Sequence, residues 1–322
     1  MTTGRHPMQQ RRQHGAALLT AMIIVTLVVT LAASMVWQQW RAVQVETVER
    51  SRAQSAWILS GALDWARLVL REDSRTGGPD HLGEPWATEL KEARLSTFLA
   101  VDKDNPDDAP EAFLSGSIVD AQARYNLGNL VDSTVDHKII PAEQAVLARI
   151  CVNVGLAPEL AAQIANGMRD ASVAPNSPAA NLNPPLMPIS VEQLAWFGID
   201  EVALRALAPF VVILPRQTPV NVNTAPPEVL AAVIGLDLGA AGQLVEQRKR
   251  RTFTAPEDLK RYVPPTEMPL PKDVAFSTNY FEVRGRLRLA DRVLEESSLV
   301  ERRGLDILPL QRRRVNSRDP AS

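Results

Sequence analysis

The chain has 322 residues, 45% of them hydrophobic and 22% charged, with a formal charge of −2. That length makes about two ordinary domains, the apolar share is ample for a core, and near-neutrality argues against a general polyanion binder. One cysteine, Cys151, excludes an intrachain disulfide, and the 4 histidines show no metal-ligand spacing.

The first element is an uncharged run from Gln13 to Trp40, preceded by Arg5, Arg11 and Arg12. A bilayer core needs about 20 apolar residues of helix, and Ala16 to Val36 supplies them without an ionised side chain. The arginines before the run keep that end in the cytoplasm by the positive-inside rule, so the rest of the chain is carried across. The helical pattern then continues. Trp37 to Leu70 contains no proline and spaces Val45, Val48, Ala53, Ala56, Leu59, Leu63, Ala66 and Leu70 as a helix does. One helix of about 55 residues, roughly 80 Å long at a rise of about 1.5 Å per residue, is expected, half in the membrane and half outside it.

Arg11-Arg12-Gln13-His14-Gly15 followed by Ala16-Ala17-Leu18-Leu19-Thr20 resembles a type IV prepilin leader. The resemblance implies cleavage between Gly15 and Ala16 by a prepilin peptidase on the cytoplasmic side, which with the loss of three arginines takes the formal charge from −2 to −5. Most such proteins carry Glu as the fifth mature residue, where this chain has Thr20. In that departure it resembles the K-type minor pseudopilin family of type II secretion (general secretion pathway protein K). A carboxylate in hydrocarbon costs several kcal/mol unless paired. In pilins its partner is taken to be the α-amino group of a neighbouring subunit, so a subunit that sits first needs none. Ala16, Ala17, Leu18, Leu19 and Met22 are small or adaptable side chains suited to helix packing in the membrane.

After the stem, Ser74 to Pro110 reads as loop, with an acidic tract at Asp102, Asp104, Asp107 and Asp108. Ser115 to Tyr125 reads as a strand. Short helices are expected over Pro141–Gly155, with Cys151 buried on it, and over Pro158–Arg169, Val191–Phe197, Asp200–Ala208, Pro226–Ile234, Leu238–Arg251 and Ala255–Tyr262. Beyond the proline-rich break Pro264–Pro271, Tyr280–Leu289 turns Phe281, Val283, Gly285, Leu287 and Leu289 inward, Val293–Arg303 is its hairpin partner, and Leu305–Leu310 adds a last strand. Strands on both sides of a helical module imply an α+β fold. It comprises a leader (1–15), a transmembrane and stem helix (16–72) and a pilin-like antiparallel sheet in two parts (73–128 and 264–311). An inserted all-α, helix-hairpin-helix-like (SAM-like) domain (129–263) separates the two, and a disordered basic tail (312–322) follows.

Val220-Asn221-Val222-Asn223-Thr224-Ala225-Pro226-Pro227-Glu228-Val229-Leu230, then Gly235, Ala241 to Arg248 and Phe253 to Leu259, is similar to a helix-hairpin-helix unit. Asn223 or Thr224 is expected to cap the first helix, Pro226 and Pro227 to occupy its first turn, and Gly235 to take the left-handed bend. Many such units present hairpin amides to a DNA phosphate. Here Asp237 in the hairpin repels one, while Arg248, Lys249, Arg250 and Arg251 form a basic strip. The rival reading is therefore a membrane-anchored helix-hairpin-helix DNA-binding protein of DNA uptake. Together with Met187 to Leu194, the same stretch resembles the signature of the K-type pseudopilin's helical domain.

The resemblance implies a minor pseudopilin of the bacterial inner membrane, N-terminus cytoplasmic and C-terminal domain periplasmic. It caps the pseudopilus tip with I- and J-type minor pseudopilins, starts pseudopilus assembly for export across the outer membrane, and needs no nucleic acid. The family associates calcium with the periplasmic domain of some members, but the matching stretch Met168–Asn176 holds one carboxylate, so no metal, ligand set or cofactor is assigned. No nucleophile elbow, phosphate-binding glycine loop, His-Glu-x-x-His or paired cysteine is present, so no enzyme is expected and no catalytic residue is named.

Overall fold

The computed structural model describes residues 14–95, 112–132, 137–173, 184–264, 273–289 and 292–315. The chain divides into two units, Met1–Ile58 and Leu59–Ser322, and helix α1, His14–Thr76, runs through both. Its 63 residues exceed the expected length because the pattern persists to a glycine stop. Gly77 takes a φ of 66° and donates its N–H to the Asp73 carbonyl at 3.1 Å, closing the last turn as a left-handed cap does.

The second unit continues with β1, Leu90–Arg94, in a stretch expected to be loop, and β2, Ala112–Asp120. Here the expected strand over Ser115–Tyr125 is corrected. After Asp120 the chain tightens into a 3-10 turn, Ala121–Ala123, because the Asp120 carboxylate accepts the Gln122 N–H at 2.7 Å. β3, Tyr125–Asn126, then leaves the sheet and pairs in parallel with β4, Val211–Val212. Between and beyond these lie α2 (Pro141–Asn153), α3 (Glu159–Ser172), a 3-10 helix (Val191–Phe197) and α4 (Glu201–Leu207). Next come β5 (Val220–Asn221), α5 (Pro227–Ile234), α6 (Leu238–Arg250), α7 (Pro256–Leu259) and β6 (Val274–Ala275), which pairs in parallel with β5. The inserted domain is thus not all-α: two short parallel strand pairs tie each of its ends to a segment in its middle.

The chain returns to the sheet with β7 (Tyr280–Leu289), β8 (Arg292–Arg303) and β9 (Asp306–Val315). The order is β1-β2-β7-β8-β9 and every pairing is antiparallel. β2 and β7 are neighbours from Ala112↔Leu289 to Asp120↔Phe281, so everything between them is an insertion at one sheet junction. β9 reaches further than expected. Arg312, Arg313 and Arg314 pair with Ser298, Ser297 and Glu296 instead of starting a frayed tail.

One face of the sheet packs on α1. Leu63, Ala66 and Leu70 meet Trp86, Ile118, Phe281, Val283, Val300 and Ile307 in a buried apolar cluster, with Trp86 edge-on to Phe281 at 5.2 Å. Gly116 lies opposite Gly285 in the register, and a Cβ on Gly116 would meet the Arg284 carbonyl oxygen at 2.7 Å. The inserted domain has its own core, centred on Leu127, Leu147, Ile150, Cys151, Ile164 and Leu230. There the Phe197 ring lies against Gly167 of α3, where an added Cβ would sit 2.4 Å from the ring.

Candidate functional site

In the first unit the side chains of Leu18, Leu19 and Met22 are exposed on α1, as are the apolar residues on to Val36. Among the described residues this is the single unbroken helix apolar and long enough to cross a membrane. Gly15 and Ala16 lie in its first turn, and Ala17 follows on the same helix. The Thr20 hydroxyl donates to the Ala16 carbonyl at 2.8 Å, and those of Thr26, Thr30 and Ser34 also donate back to carbonyls three or four residues earlier. Each hydroxyl in the apolar stretch is thus satisfied by its own helix, the arrangement least costly in hydrocarbon.

In the second unit a buried polar junction joins the sheet, the end of α1 and the inserted domain. Asp120, fully buried at the end of β2, accepts from Asn221 Nδ2 at 2.8 Å and from Thr224 Oγ1 at 2.6 Å. Burial pushes the Asp120 carboxyl above its ordinary value, and the hydrogen bonds from Thr224, Thr278, Asn221 and the Gln122 backbone oppose that rise. Asn221 also donates to the Asp80 carbonyl, while the Asp80 carboxylate accepts the Thr278 N–H at 2.7 Å and pairs with Arg302. Arg302 reaches on to Asp73 at 2.8 Å. Asn223 closes another turn, accepting from the Phe253 N–H at 3.0 Å and donating to the Phe253 carbonyl at 2.9 Å.

These bonds correct the capping expectation. Neither Asn223 nor Thr224 caps α5: Pro226 occupies the cap position without a side-chain bond, and Pro227 begins the helix. Their polar atoms serve long-range partners instead. Gly235 ends α5 with a φ of 92°, and α5 and α6 are bent by 116°. Asp237 caps α6, accepting from the Ala240 N–H at 2.8 Å. Arg248 is not part of an exposed basic strip. It is largely buried and donates Nη1 to the carbonyls of Val222 and Ala225, each at 2.6 Å, and burial lowers its pKa to about 10. Arg248 therefore clamps the Asn-rich turn against α6, and the hairpin amide a phosphate would use is already taken by Asp237.

Calcium does not fit the described residues. Asp170, the carboxylate of the stretch expected to match, is bonded by Arg169 at 2.7 Å, and the Asp102–Asp108 tract lies outside the described residues. Asp73, Asp80 and Glu84 bring carboxylate oxygens within 4.8 Å of one another, but Arg302 already supplies the positive charge there. Calcium wants six to eight oxygens, and this trio falls short.

On the opposite face of the sheet, Glu282 of β7 accepts from Arg124 at 2.7 Å, from Arg284 at 3.0 Å and from Ser297 at 2.8 Å. Burial pushes this carboxyl up, and the two guanidiniums outweigh it, holding it at about 2. Sequence reading passed over Asp120, Arg302 and Glu282, and took Arg248 for one residue of a basic strip. Their partners lie 101, 222, 158 and 26 residues away in the chain, so no local spacing signals them.

Residues 123–216 and 220–279 match two family models, both described as type II secretion system (T2SS), protein K. The type II secretion system protein K of Pseudomonas aeruginosa is 29% identical over 306 residues, covering 88% of this chain and 87% of that protein. Its counterpart from Pectobacterium carotovorum subsp. carotovorum is 28% identical, covering 94% of this chain and 96% of that one. In fold, the chain is similar to a chain of the crystal structure of the GspK-GspI-GspJ complex from the type 2 secretion system of enterotoxigenic Escherichia coli. The TM-score is 0.59 at 19% identity, over 84% of this chain and 98% of that chain. Two adjoining family matches across the inserted domain, relatives that run nearly end to end, and a shared fold agree: the chain belongs to the protein K family of type II secretion systems.

Proposed function

We propose that this chain is a minor pseudopilin that sits first in a type II secretion pseudopilus, held in the inner membrane by α1 with its second unit in the periplasm. Prepilin peptidase cleaves it between Gly15 and Ala16, and it joins I- and J-type minor pseudopilins to start assembly. The observation that carries the reading is Thr20. At the fifth position after Gly15 stands a hydroxyl held by the Ala16 carbonyl of its own helix, so no charge waits there for a subunit above. The family relationship and the complex formed by the E. coli structural neighbour support the choice of partners. The chemistry lies in surfaces: the exposed apolar face of α1 around Leu18, Leu19 and Met22, and the outer faces of the sheet and insertion.

The test is co-expression with a prepilin peptidase and I- and J-type pseudopilins, reading the mature N-terminus by mass spectrometry and the partners by co-purification. A chain starting at Ala16 and retained with both partners is expected. An uncut chain, or one cut beyond Trp37, removes the reading, and a correctly cut chain that ignores both partners removes the tip assignment.

A further inference from the structure

Between the far face of the sheet and the inserted domain lies a cavity of about 140 Å3. Its inner wall carries Arg124, Glu282, Ser297 and Gln311, and its rim carries Arg284, Arg313 and Glu192, all three at least two-fifths exposed. Glu282 takes up one Nη of Arg124, the Nε of Arg284 and the Ser297 hydroxyl, and Arg313 reaches Glu192 at 3.3 Å. Among the described residues, the buried side-chain nitrogens left without a partner are Arg124 Nε and Gln311 Nε2. Both belong to residues lining this one cavity. Both are donors, so an acceptor is what the site lacks.

The charge count names its sign. Arg124, Arg284 and Arg313 face Glu192 and Glu282, one positive charge in excess. Glu282 stays ionised, and Glu192 does too: burial pushes it up, but hydrogen bonds from Ser190 and the backbone and the nearby Arg313 bring it below its ordinary value. The cavity exceeds the roughly 30 Å3 share of one water and opens to solvent past Arg284 and Arg313. Both nitrogens are covered by neighbouring side chains, so an acceptor reaches them when the half-exposed rim arginines Arg284 and Arg313 swing aside.

We infer that this cavity binds one small monovalent anion, a halide or a carboxylate, with Arg124 and Gln311 inside and Arg313 at the rim. Arg124 and Glu192 come from the insertion, and Gln311 and Arg313 from β9, so the bound ion draws the inserted domain onto the sheet. The site is independent of the pseudopilin role and of partner choice.

The test uses the full chain in detergent, with chloride as probe and the chloride-35 NMR linewidth as readout at constant ionic strength, a bulky sulfonate making up the balance. Excess broadening that saturates in chloride and is displaced by acetate is expected. Gln311→Leu and Arg313→Gln should each remove at least half of it, while Arg286→Gln, an exposed arginine outside the cavity, should leave it unchanged. Acetate that fails to displace chloride narrows the site to halides, and displacement establishes both. Gln311→Glu supplies a carboxylate from the chain itself and should abolish the broadening while raising Tm in chloride-free buffer. Equal broadening in wild type, Gln311→Glu and Arg313→Gln, or a bromide-soaked crystal with only water in the cavity, overturns the proposal.

Discussion

The two faces of one sheet are closed by different chemistry. Against α1 the contact is apolar: Leu63, Ala66 and Leu70 bury themselves on Phe281, Val283, Val300 and Ile307. Against the inserted domain it is mixed: Ala121, Val212 and Leu214 meet Tyr280 and Leu299 in a small apolar cluster, while Arg124 holds Glu282 at 2.7 Å and Arg216 lies 3.8 Å from Glu301. Apolar burial is insensitive to pH and weakly directional, whereas ion pairs and hydrogen bonds fix orientation and fail when one partner is lost. The stem is thus attached by bulk, and the insertion by a smaller apolar contact with ion pairs that fix its orientation. The polar junction at Asp120 sits where both must agree, since it binds the insertion through Asn221 and Thr224 at the end of the strand beside α1.

Mutation can break that contrast at its strongest point first. Asp120→Ala strands the donors of Asn221, Thr224 and Gln122, and a loss of about 4 kcal/mol in urea unfolding is expected, since each stranded donor costs about 1–3 kcal/mol before water enters. A loss below 1 kcal/mol would mean the junction is not holding the insertion. Leu70→Ala, at a side chain 0% exposed, should cost about 3 kcal/mol by emptying the apolar face, while Leu68→Ala, 61% exposed two residues earlier, should stay within about 0.5 kcal/mol. Equal effects would refute the assignment of the buried stripe.

Glu282→Gln should cost about 2 kcal/mol at pH 7 by leaving Arg124 short of its counter-charge. With a folded pKa of about 2 against an ordinary 4.5, this carboxylate adds stability above about pH 4.5 and loses it as pH falls toward 2. The variant should therefore lack that part of the acid transition, as fluorescence-monitored acid unfolding would reveal.

The smallest effect is expected at Asp73, and with the opposite sign. Burial, then Glu84 and Asp80, raise it to about 6, against the pull of Arg302. A folded pKa above the ordinary 3.8 means that its contribution is present at low pH and is lost as pH rises from about 4 to 6. Asp73→Asn should flatten the stability curve in that window. A curve unchanged by the substitution would place Asp73 in ordinary solvent.

Legibility varied along the chain for identifiable reasons. β7 was readable to the residue because apolar Phe281, Val283 and Leu287 alternate with charged positions. Its polar side was not readable in the same way. Glu282 is buried as well, since the insertion covers the face that alternation assigns to solvent. β1 was missed because Leu90-Lys91-Glu92-Ala93-Arg94 has no alternation of its own and is a strand only by pairing with β2. The basic residues Arg312 to Arg314 read as a frayed tail because nothing local declares a strand, yet pairing with β8 makes them one, and Arg312 meets Glu296 across it. In the candidate site, the Asn-rich turn and the left-handed glycine were visible as motif residues, but the atoms they bind were not.

The amino-acid order by itself determined the membrane-length helix, its continuation as a stem past Leu70, the hydroxyl in place of a carboxylate at Thr20, and the short helices of the insertion. Each depends on neighbours within a few turns. Tertiary structure alone decided that Arg248 is a buried clamp, that Asn221 and Thr224 answer to Asp120, and that Arg302 joins Asp73 to Asp80. A buried polar group must find its partner wherever the fold brings one, and here the fold finds it up to 240 residues away, beyond the reach of any local period.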